Sequence, residues 1–339
     1  MIGDVSSRGD SSRPGRRQVD LSKRFVRTVL GDISADSLGN CDAHEHVIID
    51  DPFVAETFPD FVLDDVDLAC VDVAAFVAAG GRAMIDTMPM GCGRNIEKMV
   101  AVSRRTGCHL VCPTGLHLAI YYPHDHWTRD ADVDRLTEWF IQDIRTGICA
   151  DESVAPTRRT THRAGVIKVA GSEVLTDFEK VAFRAAAQAH RQTGCPIITH
   201  TEGGRGADEQ VKLFQDSGVD LRHVTLSHVD RTRDAGPHRR LLQSGVNLEY
   251  DGGFRWKNEV DNPTVRLMAE LVPEFPGQIM VGMDAARRSY RVGYHGEPGL
   301  AWLMNRMKPM LIAVGLSEDK VHDVYVTNAA AAFSFAFFS

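Results

Sequence analysis

From residue 40 to residue 284 eight short apolar runs alternate with seven stretches of helical spacing, and more helical sequence follows the eighth run. The runs fall at 40–49, 82–87, 109–114, 165–170, 196–201, 223–228, 246–251 and 278–284. Between them, apolar residues recur every three or four positions at 64–77, 95–105, 133–148, 178–192, 208–216, 239–244 and 263–272. Near-continuous apolar runs bounded by turns read as strands buried on both faces, and a helix after each strand makes neighbouring strands parallel. Eight such units in succession predict a (β/α)8 barrel, and 339 residues suit a single domain of that kind. A small hairpin at 25–33 precedes the first strand, so the expected division is a flexible tail at 1–24 and one barrel at 25–339.

Charge and composition narrow the partners. A formal net charge of -8 opposes a nucleic-acid surface, which has to be basic. The one basic stretch, with Arg8, Arg13, Arg16, Arg17, Lys23, Arg24 and Arg27, lies mostly in the tail and reads as a solvated leader. No apolar run reaches the roughly 18 residues of a membrane span, and the N-terminus lacks a signal-peptide core. Seven cysteines, an odd number without a Cys-x-x-Cys, fit a reduced compartment. The expectation is a cytoplasmic protein acting on a small molecule, with no nucleic-acid or membrane partner.

A barrel of this type works at the C-terminal ends of its strands. Those ends carry His44 and His46, Lys168, His200, His228 and Asp284. His44 and His46 are two residues apart, so on a strand both imidazoles face one point, whereas Cys41 faces away. Four imidazoles, a carboxylate and an amine are a ligand set for two divalent metals. Lys168 stands in an otherwise apolar strand, where burial favours the neutral amine. Such an amine takes up carbon dioxide as a carbamate, an anion able to bridge two cations. The other reading of Lys168 is a core-edge lysine paired with an acid such as Glu173 or Glu202.

The set His44-x-His46, Gly165-Val166-Ile167-Lys168-Val169-Ala170, Thr199-His200-Thr201, Ser227-His228 and Gly282-Met283-Asp284, in that order, resembles the phosphotriesterase family of the amidohydrolase superfamily. The resemblance runs from about Thr28 to the C-terminal Val326-Thr327-Asn328-Ala329-Ala330. It implies a binuclear zinc centre with His44, His46 and Asp284 on the more buried metal and His200 and His228 on the outer one. N6-carboxylated Lys168 and a hydroxide would bridge them. The hydroxide would attack a lactone, carboxylic ester or phosphoester, with Asp284 as general base and Asp230 as a candidate relay. The same ligands permit cleavage of a cyclic amide, and a barrel of this kind can also be a non-catalytic binding protein. Relatives imply a homodimer.

Substrate groups are expected on the loops after strands three, seven and eight. His117 stands where lactonase-like relatives carry a tyrosine. Tyr121, Tyr122, His124, His126 and Trp127 form an aromatic loop, and Asp251 to Lys257 adds apolar and cationic groups. Arg287, Arg288, Tyr290 and Arg291 make a basic cluster after Asp284, which suggests a polar anionic lactone or ester. His117, Tyr122, Asp251, Arg288 and Arg291 are the substrate-binding candidates. Arg94, in Gly91-Cys92-Gly93-Arg94, reads as a structural tie across the mouth, and His162, His190, His238 and His322 read as surface groups.

Overall fold

A computed structural model describes residues 20–150, 158–256 and 261–336. After a turn at Leu21–Lys23 comes an antiparallel hairpin, β1 (Phe25–Thr28) and β2 (Gly31–Ser34), with Val26 opposite Ile33. Most of the expected tail lies outside the described residues. Its last five belong to the folded part, since Leu21 packs on the core and Arg24 reaches Ser334 Oγ at 3.5 Å.

The eight expected strands are all present. They are β3 (Cys41–Glu45), β4 (Ala83–Asp86), a third strand broken at Cys112 into β5 (His109–Val111) and β6 (Pro113–Leu116), then β7 (Val166–Ala170) and β8 (Ile197–His200). The last three are β9 (Val224–Ser227), β10 (Asn247–Tyr250) and β11 (Ile279–Val281). Each pairs in parallel with its sequence neighbour. The circle closes where the Met283 and Asp284 N–H groups donate to His44 O at 3.3 and 2.9 Å. The protein is therefore a single-domain (β/α)8 barrel.

Helix α1 (Pro52–Thr57) sits in the first loop. The outer ring is α2 (Val66–Ala78), α3 (Ile96–Thr106), α4 (Val133–Arg145), α5 (Asp177–Thr193), α6 (Ala207–Asp216), α7 (Ala235–Ser244) and α8 (Pro263–Leu271). Local chemistry sets their ends: the Thr176 and Glu179 side chains cap α5 reciprocally, and left-handed Gly107 and Gly194 end α3 and α5. The C-terminal segment adds α9 (Lys308–Ala313), α10 (Glu318–His322) and α11 (Asn328–Ala332), with π turns at Leu303–Met307 and Asp323–Thr327.

Two apolar layers hold this together. One fills the space between strands and helices. The other fills the lower barrel with Cys41, Ala43, Ala83, Ile85, Val111, Val166, Ile198 and Met280, plugged from below by Val26, Leu38 and Phe333. All seven cysteines are buried and free.

Strict alternation fails on the first strand. Ala43 belongs to the interior layer, yet the adjacent His44 also points inward, to Ser227 and His228. The pairing register of β3 with β4 shifts between Asp42 and Glu45. A bulge of this kind re-aims side chains, and here it turns both imidazoles into the mouth. Cys41 is therefore on the inner face too, one layer down, and not on the opposite face as alternation alone predicts.

Candidate metal centre

His44 and His46 leave the end of β3 and approach Asp284, which follows β11. Their Nε2 atoms lie 3.8 and 3.3 Å from Asp284 Oδ1. His200 ends β8, and His228 follows β9 in the left-handed region, with φ 66°. Asp284 has φ 47°, and non-glycine residues in that region concentrate where the surrounding fold forces a functional geometry. The rings form a chain around the mouth, His44 to His228 at 4.6 Å and His228 to His200 at 4.6 Å between centroids.

Carboxylates back the imidazoles. Asp251 pairs with His228 Nδ1. Behind His44, Ser227 Oγ lies 2.9 Å and Glu249 Oε2 3.6 Å from Nδ1. Such partners fix which ring nitrogen carries the proton and leave the other as a ligand. Burial, and after it Lys168, pushes His44 well below its ordinary range; burial also lowers His200 against the pull of Glu202 and takes His228 to about 3 against that of Asp251. All three are neutral near pH 7, the form that binds a metal. Burial, then Asp251 and Asp230, pushes the Glu249 carboxyl well above the usual range. Burial opposes ionisation of Asp284 as well, but the Arg255 guanidinium, then His228, holds it well below.

Lys168 is completely buried on β7, and its Nζ has no hydrogen-bond partner among the described residues. Burial lowers it to about 8. Neither acid proposed as its partner is near: Glu173 pairs with Arg205 and Glu202 with His200. A metal fits this donor set. His44, His46 and Asp284 offer ligand atoms within 4.8 Å of one another, and His46 Nδ1 also lacks a hydrogen-bond partner. Asp251 and Asp284, at 13% exposure or less, are the acids held in the ionised form beside these imidazoles, which suits a bound cation.

The small cavity at the mouth is lined by these groups together with Phe61, Met88, His117, Tyr121 and Ala286. A larger groove of about 560 Å³ runs between α5 and α6 on the outer ring and contains none of the metal-centre residues. His117 stands in the mouth as expected, its ring 5.5 Å from that of His200. Tyr121, not Tyr122, lines the cavity. Tyr122 is buried, its hydroxyl accepting from His117 N–H at 2.8 Å and donating to Met90 O at 3.0 Å, which makes it the prop of the His117 loop.

Three more substrate candidates are displaced. Asp251 is fully buried behind His228. Arg291 is buried against Glu45 Oε1 at 2.7 Å and Ala285 O at 2.8 Å, tying the loop after β11 to the end of β3. Arg288 turns outward to Val62 O at 2.8 Å. The guanidiniums that do reach the centre are Arg231 and Arg255, whose Nη2 atoms donate to Asp284 Oδ2 at 3.0 and 2.8 Å. Sequence reading placed Arg255 only within a cationic loop and missed Arg231 altogether; its position three residues past His228 was the available signal. Lys257 lies outside the described residues.

Asp230 is not at the cavity. It accepts from Gly252 N–H at 2.8 Å and from Thr264 Oγ at 2.6 Å, and burial raises it to about 6. Arg94 is a tie, but beneath the mouth, joining Pro113 O to Asp143 Oδ2. His190 and His238 are buried, bonded to Cys195 O and Tyr250 Oη, while His322 is exposed.

Fold and centre together define a barrel whose mouth is furnished for metal-dependent hydrolysis. The chain belongs to the phosphotriesterase family of the amidohydrolase superfamily, whose sequence profile matches residues 24–333. A phospho-furanose lactonase of Mycoplasmopsis agalactiae is 29% identical over 321 residues, covering 90% of each chain. Among solved structures, an amidohydrolase from Mycoplasma synoviae superimposes with TM-score 0.88 at 28% identity, covering 93% of both chains. A lactonase from Listeria monocytogenes gives 0.85 at 27% identity over 92% of this chain and all of its own. No described helix is long and apolar enough to cross a membrane.

Proposed function

We propose that this protein is a binuclear-metal hydrolase of lactones, with a phosphorylated sugar lactone as the substrate class. The observation that carries the metal chemistry is Lys168 Nζ, fully buried, without a partner, and lowered to about 8. A neutral amine held in that place among four imidazoles is suited to carboxylation. His44, His46 and Asp284 would hold one divalent cation and His200 and His228 the other, with carboxylated Lys168 between them and zinc as the metal. Bound there, the cations would supply an acidified water and polarise the ester carbonyl.

The chain's own groups do the rest. Asp284 stays ionised and presents Oδ1 toward His44 and His46, placed to take the proton released by the attacking water. Arg231 and Arg255 fix its other oxygen. Asp251 orients His228. Phe61 and Tyr121 wall the cavity, and Arg287 lies over the Phe61 ring at 4.6 Å. With Arg231 and Arg255 committed to Asp284, the half-exposed Arg287 at the rim is the guanidinium that an anionic substrate group would meet. The relative named a phospho-furanose lactonase supports the same class.

The test is a hydrolysis panel on protein loaded with zinc and bicarbonate, set against phosphorylated sugar lactones, neutral lactones, phosphotriesters and cyclic amides. Phosphorylated lactones are expected to turn over fastest, and Lys168→Ala to lose roughly 100-fold or more. Equal rates for neutral and phosphorylated lactones would sink the substrate class. Full activity in Lys168→Ala would sink the centre.

A further inference from the structure

The family reading uses one nitrogen of each imidazole and leaves open what holds the rings. For His228 the holder is Asp251, in direct contact with Nδ1. For His44 it is less obvious. Ser227 Oγ is 2.9 Å from Nδ1, but a hydroxyl that accepts this proton must place its own hydrogen elsewhere. Glu249 stands beside it. Extending the β9 to β10 register, in which Leu226 faces Leu248, by one residue sets Ser227 level with Glu249, both pointing into the barrel. Glu249 is fully buried, its Oε2 lies 3.6 Å from His44 Nδ1, and neither of its oxygens has a hydrogen-bond partner among the described residues. An added Cβ on Gly282 would come within 2.6 Å of Glu249 Oε1, so the glycine leaves room for the carboxylate.

A fully buried carboxyl group with neither oxygen hydrogen-bonded costs stability, so a neighbour that can use it as an acceptor accounts for its place. The Nδ1–H edge of His44, a donor in need of an acceptor, is that neighbour. We propose that Ser227 and Glu249 form a cradle that keeps His44 protonated on Nδ1, so that Nε2 is the ligand atom and the first metal binds tightly. Glu249 is thus a positioning residue that acts through His44, the counterpart on β10 of Asp251 and His228. The inference rests on the metal-hydrolase reading above.

Cobalt binding to the full-length protein, stripped of metal and reloaded, tests it. In Glu249→Gln one equivalent is expected to bind roughly 10- to 100-fold more weakly, with a changed visible absorption spectrum, while the other equivalent keeps its affinity. Ser227→Ala should shift the same equivalent in the same direction. The metal-free Glu249→Gln protein should unfold at or above the wild-type temperature, because the substitution removes an unpartnered buried acid. A merely structural role predicts the reverse. Wild-type cobalt affinity and spectrum in both variants, or a metal-free unfolding temperature in Glu249→Gln well below wild type, would overturn the cradle. Failure of the wild-type protein itself to take up cobalt would overturn the metal-hydrolase reading and the cradle together.

Discussion

Lys168 shows how one residue converts burial into reactivity. Its strand neighbours are apolar and its amine faces the mouth, so desolvation brings it to about 8, and near pH 7 about a tenth of it is neutral. Carboxylation consumes the neutral amine. At fixed dissolved carbon dioxide, the rate at which stripped protein regains activity with zinc should rise about tenfold between pH 7 and pH 9 and flatten above. A rate independent of pH across that range would mean that Lys168 is not the group being modified. Residues of this kind were legible in the sequence, since a lysine or a histidine pair at the polar end of an apolar run has few other uses. The arginines were not. Arg288 and Arg291 stand within seven residues of Asp284 in the chain, but direction decides their roles, and the turns at Arg288–Tyr290 and Val292–Tyr294 send one outward and the other inward. Arg231, far from Asp284 in sequence, meets it across the barrel.

At the level of elements, the precision of the centre depends on how closely strands approach. Gly115 on β6 has φ 117°, and an added Cβ would lie 1.7 Å from Lys168 O on β7. No side-chain movement relieves a clash with backbone, so β7 itself would have to shift, taking Lys168 with it. Gly115→Ala is expected to cost about 3 kcal/mol or more in urea unfolding and to lower metal content in the protein that remains folded. Wild-type stability with full metal content would refute this account of the β6 to β7 contact. The elements themselves were readable from periodicity, because strand ends and helix caps are written locally, as in the Thr176 and Glu179 pair. The bulge in β3 was not, since it is set by the partner strand. His44 and His46 share a face with Ala43 only because the register with β4 slips. The helix at 239–244 begins earlier, at Ala235, where Asp234 caps it despite the Gly-Pro that follows.

For the whole molecule, the neutral buried histidines link stability to acidity. Burial lowers His223, at the start of β9 and remote from the mouth, to about 4, and lowers His228 to about 3. In the unfolded chain both titrate near 6.5. Between these values the unfolded state binds more protons than the folded one, so the stability associated with each histidine is complete above about pH 6.5 and is lost as pH falls toward its folded value. The slope is at most about 1.4 kcal/mol per pH unit for each such group. Carboxylates held low by their partners, Asp251 and Asp284, act in the same direction, but only below about pH 4. Asp230, which burial raises to about 6, and Glu249, raised well above the usual range, bind protons more readily in the folded state and oppose this loss, so the histidine contribution is read by comparing the slope of urea resistance from pH 6.5 to pH 4.5 in metal-free wild type with that of a variant. His223→Asn, which cannot take up a proton, should flatten the slope by up to one proton without touching the mouth. An unchanged slope in that variant would assign the acid sensitivity to the other buried histidines, His190 and His238 and the metal ligands among them; where the ligands dominate, added zinc, which binds only their neutral form, should steepen the loss on acidification as they protonate and release it.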